Sequence, residues 1–378
     1  MYIKKLILII AFTLIFSCSK DNTITILTDN KIIPFYINQF NIQNKISFII
    51  KYKEHINVQT INEENAQIII SKNIDNINIT KNFKNIQKYY YSDYPILNHI
   101  SEKFAYRIMP LSFDIPILIY KNEHNIQKYI DIQNIKNIHE NFKKEKKFFI
   151  SPYISENLFY TISEINGVNF YFRNNKPEYD EKKMSEMINY FKSFMDTNEL
   201  VLHKNFSEKY KYLNLEKILL QKKSILIAGL THLTYYNSLN KNTKDKLNFS
   251  YLTNKEKKSS ICNISFIGVK EISKPIEKFI QWILSQEIQK SLIQLKEKAK
   301  FNEHFGFING FTPYKGLNLK LRNTIKKIPS FIIDENYINQ NSYILNKEQI
   351  AKENTMINEF FLSNINNTSQ NKDHVHLQ

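Results

Sequence analysis

The chain has 378 residues, of which 42% are hydrophobic and 13% are aromatic. This composition excludes a disordered or collagen-like chain, and the length is enough for two or three domains with a sizeable core. Lys and Arg together number 52 against 36 Asp and Glu, which gives a formal net charge of +16. A basic excess of this size suits nucleic acid, anionic lipid or acidic glycans, so the charge alone does not choose a partner.

The N-terminus predicts export. Two lysines precede an uninterrupted apolar stretch, residues 6–16, which ends at Ser17 and Cys18. The stretch is shorter than the roughly 18 residues needed to span a bilayer. It therefore indicates a signal peptide of residues 1–17. A small residue directly before a cysteine resembles the bacterial lipobox, although Phe16 stands where a smaller residue is usual, and on that resemblance Cys18 receives lipid and becomes the mature N-terminus.

Export changes what the charge can mean. Removal of the signal peptide takes two lysines away and leaves a net charge of 16 − 2 = +14. An extracytoplasmic protein tethered to a bacterial membrane through residues 18–22 has little access to chromosomal DNA or ATP, so nucleic acid is not an expected partner. The chain has two cysteines, which rules out a disulfide framework, and we expect Cys262 to be a buried apolar thiol.

The first exported segment has a pattern typical of a parallel α/β layer. In chain order the predicted elements are a strand at 24–27, a helix at 34–42, a strand at 46–52 and a buried strand at 66–70. Pro34 suits the first turn of the helix. Strand, helix, strand and buried strand in this order indicate a parallel sheet covered by helices.

The alternation continues to the C-terminus. Pro110 and Pro116 disfavour a helix, so residues 107–120 are predicted to be extended. Further predicted elements are strands at 148–150, 224–228 and 263–269, a helix capped by Asp180, an amphipathic helix over 273–295, a glycine-containing loop at 305–316 and a last helix at 347–362.

The sequence contains none of the common catalytic or metal-binding motifs. No G-x-x-x-x-G-K-[ST], G-x-S-x-G, H-E-x-x-H or C-x-x-C occurs in the chain. His374 and His376 in the polar tail could catch a metal, but a solvated tail explains them more simply. We therefore predict no enzyme, no cofactor and no metal site.

Four segments together resemble the extracellular solute-binding proteins of ABC importers, most closely the group that binds sugars and oligosaccharides. The segments are ITILTDN at 24–30, PLSFDIPILIYKN at 110–122, a basic pair with a small apolar strand and a glycine at 221–229, and the strand at 263–268 joined to Trp282, SQEIQ at 285–289 and FTPYKG at 311–316. They occur in the family's order and cover most of residues 24–320.

The resemblance implies an α/β, two-lobed, periplasmic-binding-protein-like fold of type II, whose lobes are joined by hinge crossovers and close on a ligand. The implied division is 23–115 with 262–312 for lobe 1, 118–258 with 316–362 for lobe 2, and 363–378 for a disordered tail. The implied function is delivery of a sugar or oligosaccharide to an ABC permease by a lipid-anchored protein that makes and breaks no bond.

Polar and aromatic side chains follow the predicted strand ends, where such a cleft would lie. The candidates are Asp29, Asn30, Tyr36 and Ser71 in lobe 1, Ser112 and Asp114 at the crossover, and Tyr153, Asn157, His232, Tyr235 and Tyr236 in lobe 2. Each group has a structural alternative, which is a turn or cap for the short polar residues and core packing for Tyr36.

One departure from the family's pattern keeps other ligands open. Sugar binders of the family often have a tryptophan shortly after the glycine of the third segment, where this chain has His232 and then a tyrosine pair. Tyrosine can stack on a sugar face, but a peptide or an anion drawn by the positive field is an alternative solute. The competing class is a surface lipoprotein of the same fold whose basic exterior binds polyanions.

Overall fold

The computed structural model describes residues 23–72, 74–75, 77–145, 147–150, 158–168, 171–173, 176–194, 202, 205–206, 208–210, 212–222, 226–301, 305–324 and 338–343. The signal peptide, Cys18, Tyr153, Asn157, the predicted last helix and the tail lie outside these residues. Within them, no helix combines the length and apolar character needed to cross a membrane.

The described strands and helices alternate along the chain. The strands are β1 (Ile24–Thr28), β2 (Phe48–Tyr52), β3 (Ile68–Ser71), β4 (Ile108–Asp114), β5 (Pro116–Lys121), β6 (Tyr129–Asp131), β7 (Tyr171–Arg173), β8 (Lys176–Glu178), β9 (Ala228–His232), β10 (Leu247–Thr253), β11 (Ser259–Val269) and β12 (Ile338–Tyr343). The helices are α1 (Ile33–Asn44), α2 (Val58–Glu63), α3 (Ile77–Thr80), α4 (Pro95–Lys103), α5 (Ile135–Lys143), α6 (Leu158–Ile165), α7 (Glu181–Lys192), α8 (Leu215–Leu219), α9 (Leu233–Ser238), α10 (Lys241–Lys244), α11 (Lys274–Ile283), α12 (Gln286–Lys298) and α13 (Lys315–Thr324).

The first sheet has the strand order β2–β1–β3–β11–β4. Strand β1 is parallel to β2 and β3, whereas β11 is antiparallel to both of its neighbours. Strands β1 to β4 therefore all run in one direction, and their carboxyl ends meet at one edge of the sheet. At its N-terminal end, at Ser259 and Ile261, β11 also pairs with β12.

Helices cover both faces of this sheet. Ile68, Ile69 and Ile70 are all buried, as expected for a parallel strand between two helical layers. Ile68 and Ile70 belong to a core cluster with α1, α11 and α12, while Ile69 packs with α2, α3 and α4. The three consecutive isoleucines thus supply both halves of the lobe 1 core.

The second sheet has the order β6–β10–β5–β9, with β5 antiparallel to both neighbours. Leu118 and Tyr120 face a core cluster shared with α5, α6 and α7. Ile117 and Ile119 face the other way, toward α8 and α9. This alternation gives the second sheet two helical layers as well, and the molecule has the two-lobed α/β architecture that the sequence predicts.

The lobes are joined by two crossovers that lie beside each other. The chain leaves the first sheet at Asp114 and enters the second at Pro116, so Ile115 alone separates β4 from β5. Strand β11 passes beside this point, where Cys262 pairs with Asp114. The register of β11 shifts between Cys262 and Ser265, and Asn263 there has a φ of 47°.

Three sequence expectations differ from the structure. The apolar pattern over 273–295 forms two helices, because Ser285 caps α12 by accepting the N–H of Ile288. Of the strand predicted at 224–228, Ala228 begins β9, which continues beside β5 to His232, and Leu226 forms an isolated bridge with Phe148, while residues 224 and 225 lie outside the described residues. The predicted division places residues 316–362 in lobe 2, whereas Leu321 of α13 packs in the cluster that contains α1, α11 and α12 of lobe 1.

Candidate functional site

The strand-end edge of lobe 1 carries a positioned carboxylate. Asp29 follows β1 and is partly exposed, and Ser71 ends the neighbouring strand β3. Adjacent strands lie about 4.8 Å apart, and the Ser71 hydroxyl donates to Asp29 Oδ2 at 2.6 Å. The backbone N–H of Lys72 also points at this oxygen, at 3.4 Å. The structure thus places two of the predicted site residues together at one edge of the sheet.

Two other lobe 1 candidates have structural roles instead. The Asn30 side chain is buried and accepts the N–H of Ile32 at 3.1 Å, which makes it a turn residue before α1. Tyr36 is fully buried, stacks on Phe307 and donates its hydroxyl to the Phe307 carbonyl at 2.6 Å. Burial raises the pKa of Tyr36 far above its ordinary value. Neither side chain reaches a cleft. The sequence could not show this, because an amphipathic position or a turn position alone does not distinguish a core residue from a site residue.

The crossover candidates are both fully buried. Ser112 donates its hydroxyl to the Ile308 carbonyl at 2.8 Å. Asp114 accepts the N–H of Ile115 at 2.8 Å and the N–H of Thr234 at 3.1 Å, and its Oδ2 lies 2.7 Å from Nδ1 of His232. The buried carboxylate is therefore fully engaged by the crossover and by the start of α9, and it does not contact solvent.

The lobe 2 candidates divide in the same way. The side chain of His232 is 34% exposed. Tyr235 is half-buried and donates its hydroxyl to Glu216, and burial together with this carboxylate raises the pKa of the phenol. Tyr236 is buried and donates to the Leu247 carbonyl at 3.3 Å. His232 is accordingly the lobe 2 candidate with the clearest access to a solute.

The loop at 305–311 contains the part of the site that the sequence did not reveal. Four consecutive backbone carbonyls, those of residues 306 to 309, each accept a hydrogen bond from a different element. The donors are Lys296 of α12, Tyr36 of α1, Ser112 of β4 and Thr234 of α9, in that order. The last of these bonds, at 3.0 Å, joins lobe 2 to a loop that packs on lobe 1.

Neither Thr234 nor Lys296 was among the predicted site residues. Thr234 lies in the segment that drew attention to His232, and Gly306 and Gly310 of the loop were the only signal for close backbone contacts. Lys296 is buried in an otherwise amphipathic helix, and burial lowers the pKa of its ammonium group to about 8.

A buried thiol lies beside the crossover. Cys262 is the free, buried thiol that the sequence predicts, and it pairs with Asp114 in the sheet. Burial raises the pKa of this thiol, Asp114 raises it further, and Lys72 lowers it.

The arrangement offers hydrogen-bonding groups of several kinds. The carboxylate of Asp29 accepts hydrogen bonds at the lobe 1 edge, and the partly exposed imidazole of His232 lies at the end of β9 in lobe 2. Among the described residues, no group of three or more His, Cys, Asp or Glu side chains is placed to hold a metal ion.

Comparisons with known proteins show which fold this chain shares. No protein-family model matches the chain, and no curated protein sequence matches it. Among solved structures, the chain has the two-lobed fold of periplasmic solute-binding proteins, which confirms the predicted fold class. One solved structure that it resembles is a Bordetella ferric binding protein, with a TM-score of 0.52 and 10% sequence identity over 91% of this chain and 99% of that chain. At this identity the likeness shows the fold, and it does not show the sugar-binding group.

Proposed function

We propose that this protein is a lipid-anchored extracytoplasmic solute-binding protein that delivers a sugar or oligosaccharide to an ABC permease. The observation that carries the proposal is that polar groups lie at strand ends in both lobes. Asp29 and Ser71 lie at the carboxyl ends of lobe 1 strands, and His232 ends β9 in lobe 2 and pairs with the crossover residue Asp114. Crevices at such strand ends are where open α/β sheets bind their ligands.

A sugar suits these groups because its hydroxyls both donate and accept hydrogen bonds. The carboxylate of Asp29 takes a hydroxyl donor, and the half-buried ring of Tyr235, which lies 6.2 Å from the His232 ring, offers an aromatic face. Site formation of this kind requires neither a nucleophile nor a cofactor.

Ferric iron is the solute named for the structural neighbour. A hard trivalent ion prefers carboxylate and phenolate oxygens. In this chain the phenols of Tyr235 and Tyr236 both donate hydrogen bonds elsewhere, and burial raises the pKa of each. These contacts disfavour phenolate ligands, so iron is a test case here rather than the proposed cargo.

The rival function is a surface lipoprotein of this fold that binds polyanions, or a non-sugar solute such as a peptide or anion. The net charge of +16 favours it. Polyanion binding through exposed lysines would be strongly screened by salt, whereas hydrogen bonding in a crevice would not.

Thermal-shift screening of the mature protein tests the proposal, because a solute that binds only the folded state raises the melting temperature. The panel contains neutral mono- to trisaccharides, tripeptides, phosphate, ferric citrate and heparin, each at low and moderate salt. A saccharide that raises the melting temperature at both salt concentrations supports the proposal. Stabilisation by heparin alone, lost at moderate salt, supports the rival.

Membrane attachment is tested separately. Metabolic labelling with palmitate in a bacterial host should modify the wild-type chain and not the Cys18→Ala variant. Label in the variant would contradict the lipid anchor and leave the solute-binding proposal unaffected.

A further inference from the structure

The imidazole of His232 is held through one nitrogen. Its Nδ1 lies 2.7 Å from Oδ2 of Asp114, whose side chain is fully buried, while 34% of the His232 side chain is exposed. The two ring nitrogens point in nearly opposite directions, so fixing Nδ1 on a buried group turns Nε2 toward the exposed side. No other described residue forms a hydrogen bond with Nε2.

The partners of Asp114 decide which nitrogen carries the hydrogen. Its two oxygens accept the N–H groups of Ile115 and Thr234, so the carboxylate acts as an acceptor at these contacts. An acceptor at 2.7 Å requires a hydrogen on Nδ1. The N–H of Tyr235 lies farther from Nδ1, at 3.3 Å, and cannot donate to a nitrogen that carries its own hydrogen. The neutral ring therefore has its lone pair on Nε2.

We propose that Asp114 is a positioning residue that fixes this form of His232, so that Nε2 presents a hydrogen-bond acceptor to the cleft. The group it would accept is a hydroxyl of a neutral, polyhydroxylated solute. An anionic group at the same point would meet a lone pair with a carboxylate behind it. The last step rests on the proposed function, whereas the state of the ring does not.

The state of the ring can be measured without a solute. We would label the histidines of the mature protein with ¹⁵N and assign His232 by the loss of its signals in His232→Asn. The expected spectrum at neutral pH shows a hydrogen on Nδ1 and a lone pair on Nε2. Diethyl pyrocarbonate, which acylates an accessible unprotonated ring nitrogen, should modify His232 readily, as judged by mass spectrometry.

Asp114→Asn supplies the matched change. Its amide nitrogen can donate to Nδ1, which would move the hydrogen to Nε2 and suppress acylation of His232. Asp180→Asn is the control, because Asp180 accepts a backbone N–H at the start of α7, outside the site. It should leave both His232 readouts unchanged. A hydrogen on Nε2 in the wild type, or an unchanged ring in folded Asp114→Asn, would overturn the positioning role.

The role in recognition is tested on the saccharide that gives the largest thermal shift in the panel above. Asp114→Asn and His232→Asn should each weaken its binding about tenfold, and the double variant should lose little more, since both changes remove one acceptor. Additive losses would contradict the inference. If the ring has the expected state but no saccharide binds, the proposed function fails and the positioning role stands.

Discussion

The strand-end edge of lobe 1 and the loop at 305–311 fix their polar groups by different means. At the edge, Asp29 and Ser71 are side chains on adjacent strands, and sheet pairing alone brings them together. In the loop, the polar groups are backbone carbonyls, and side chains from four separate elements hold them. The edge is therefore formed within one sheet, whereas the loop depends on the packing of both lobes.

This difference has a mechanical consequence. Hinge motion of one lobe leaves the contact between Asp29 and Ser71 intact, because both residues belong to lobe 1. The bond from Thr234 to the Asn309 carbonyl crosses between the lobes, so a change in their separation would act on it. We infer that the loop responds to closure, and the variants below test how far the two regions differ.

Gly306→Ala should have the largest effect on stability, and it should disrupt the loop at 305–311 and not the strand-end edge. Gly306 has a φ of +63°, and a Cβ atom there would lie 1.9 Å from the Gly310 carbonyl oxygen. Backbone atoms cannot move away as a flexible side chain could, so we expect a loss of about 3 kcal/mol in the free energy of unfolding. Urea denaturation measures it.

Gly316→Ala is the matched control, because the nearest atom to its Cβ would be Gln286 Nε2, at an ordinary contact distance of 3.7 Å. It should change the free energy of unfolding little. Equal losses in the two variants would show that the loop is no more constrained than the start of α13.

The same contrast explains what the sequence could predict. Carboxyl ends of parallel strands meet at one edge, so the residues after β1 and β3 could be placed together before the structure was known. The loop could not be anticipated, because Tyr36 reaches Phe307 across 271 positions and Ser112 reaches Ile308 across 196. No local pattern encodes such pairings, and they depend on the completed core.

Apolar periodicity also has a limited reach. Two helices that pack on one core cluster continue a single stripe, so the pattern over 273–295 did not show the break at Ser285. His232 and Asp114 were both selected from sequence, but as separate cleft residues. Their pairing arises because β9 lies beside β5, which places His232 opposite Pro116.

Lys296→Met tests the buried cation that holds the first loop carbonyl. Burial lowers the pKa of Lys296 to about 8 in the folded protein, against 10.5 for the free side chain. Between these values the unfolded chain binds more protons than the folded one, so stability rises with pH. The group should contribute an increase of about 2 kcal/mol in the free energy of unfolding from pH 7 to 9.5.

The quantity to compare is the change with pH in the free energy of unfolding, in the wild type and in each variant. Denaturation at pH 7 and 9.5 should show that Lys296→Met lacks this increase, whatever its stability at one pH. Lys298→Met is a suitable control, since Lys298 is exposed on the same helix. An identical pH dependence in Lys296→Met and the wild type would mean that Lys296 is not confined in the core.

Thr234→Val tests the bond between the lobes. The substitution keeps the shape of the side chain and removes the hydroxyl that donates to the Asn309 carbonyl at 3.0 Å. We expect the free energy that favours the closed arrangement to fall by about 1 kcal/mol. Small-angle scattering of the solute-free protein should show a larger radius of gyration, which Thr234→Ser restores. An unchanged radius would place the restraint on opening elsewhere, in the crossovers or in the apolar cluster that contains residues of both lobes.

The smallest effect is expected at Asn263, beside the crossover and outside the loop. Its φ of 47° lies in the left-handed region, where Asn is tolerated better than other residues that carry a Cβ atom. Asn263→Ala should therefore lower the free energy of unfolding by about 0.5 kcal/mol, while Asn263→Gly should not lower it. Urea denaturation of both variants distinguishes a backbone requirement from a side-chain contact, because loss of a contact would destabilise the glycine variant as well. If both variants lose stability equally, the register shift in β11 is held by the Asn263 side chain, as the loop at 305–311 is held by side chains from other elements.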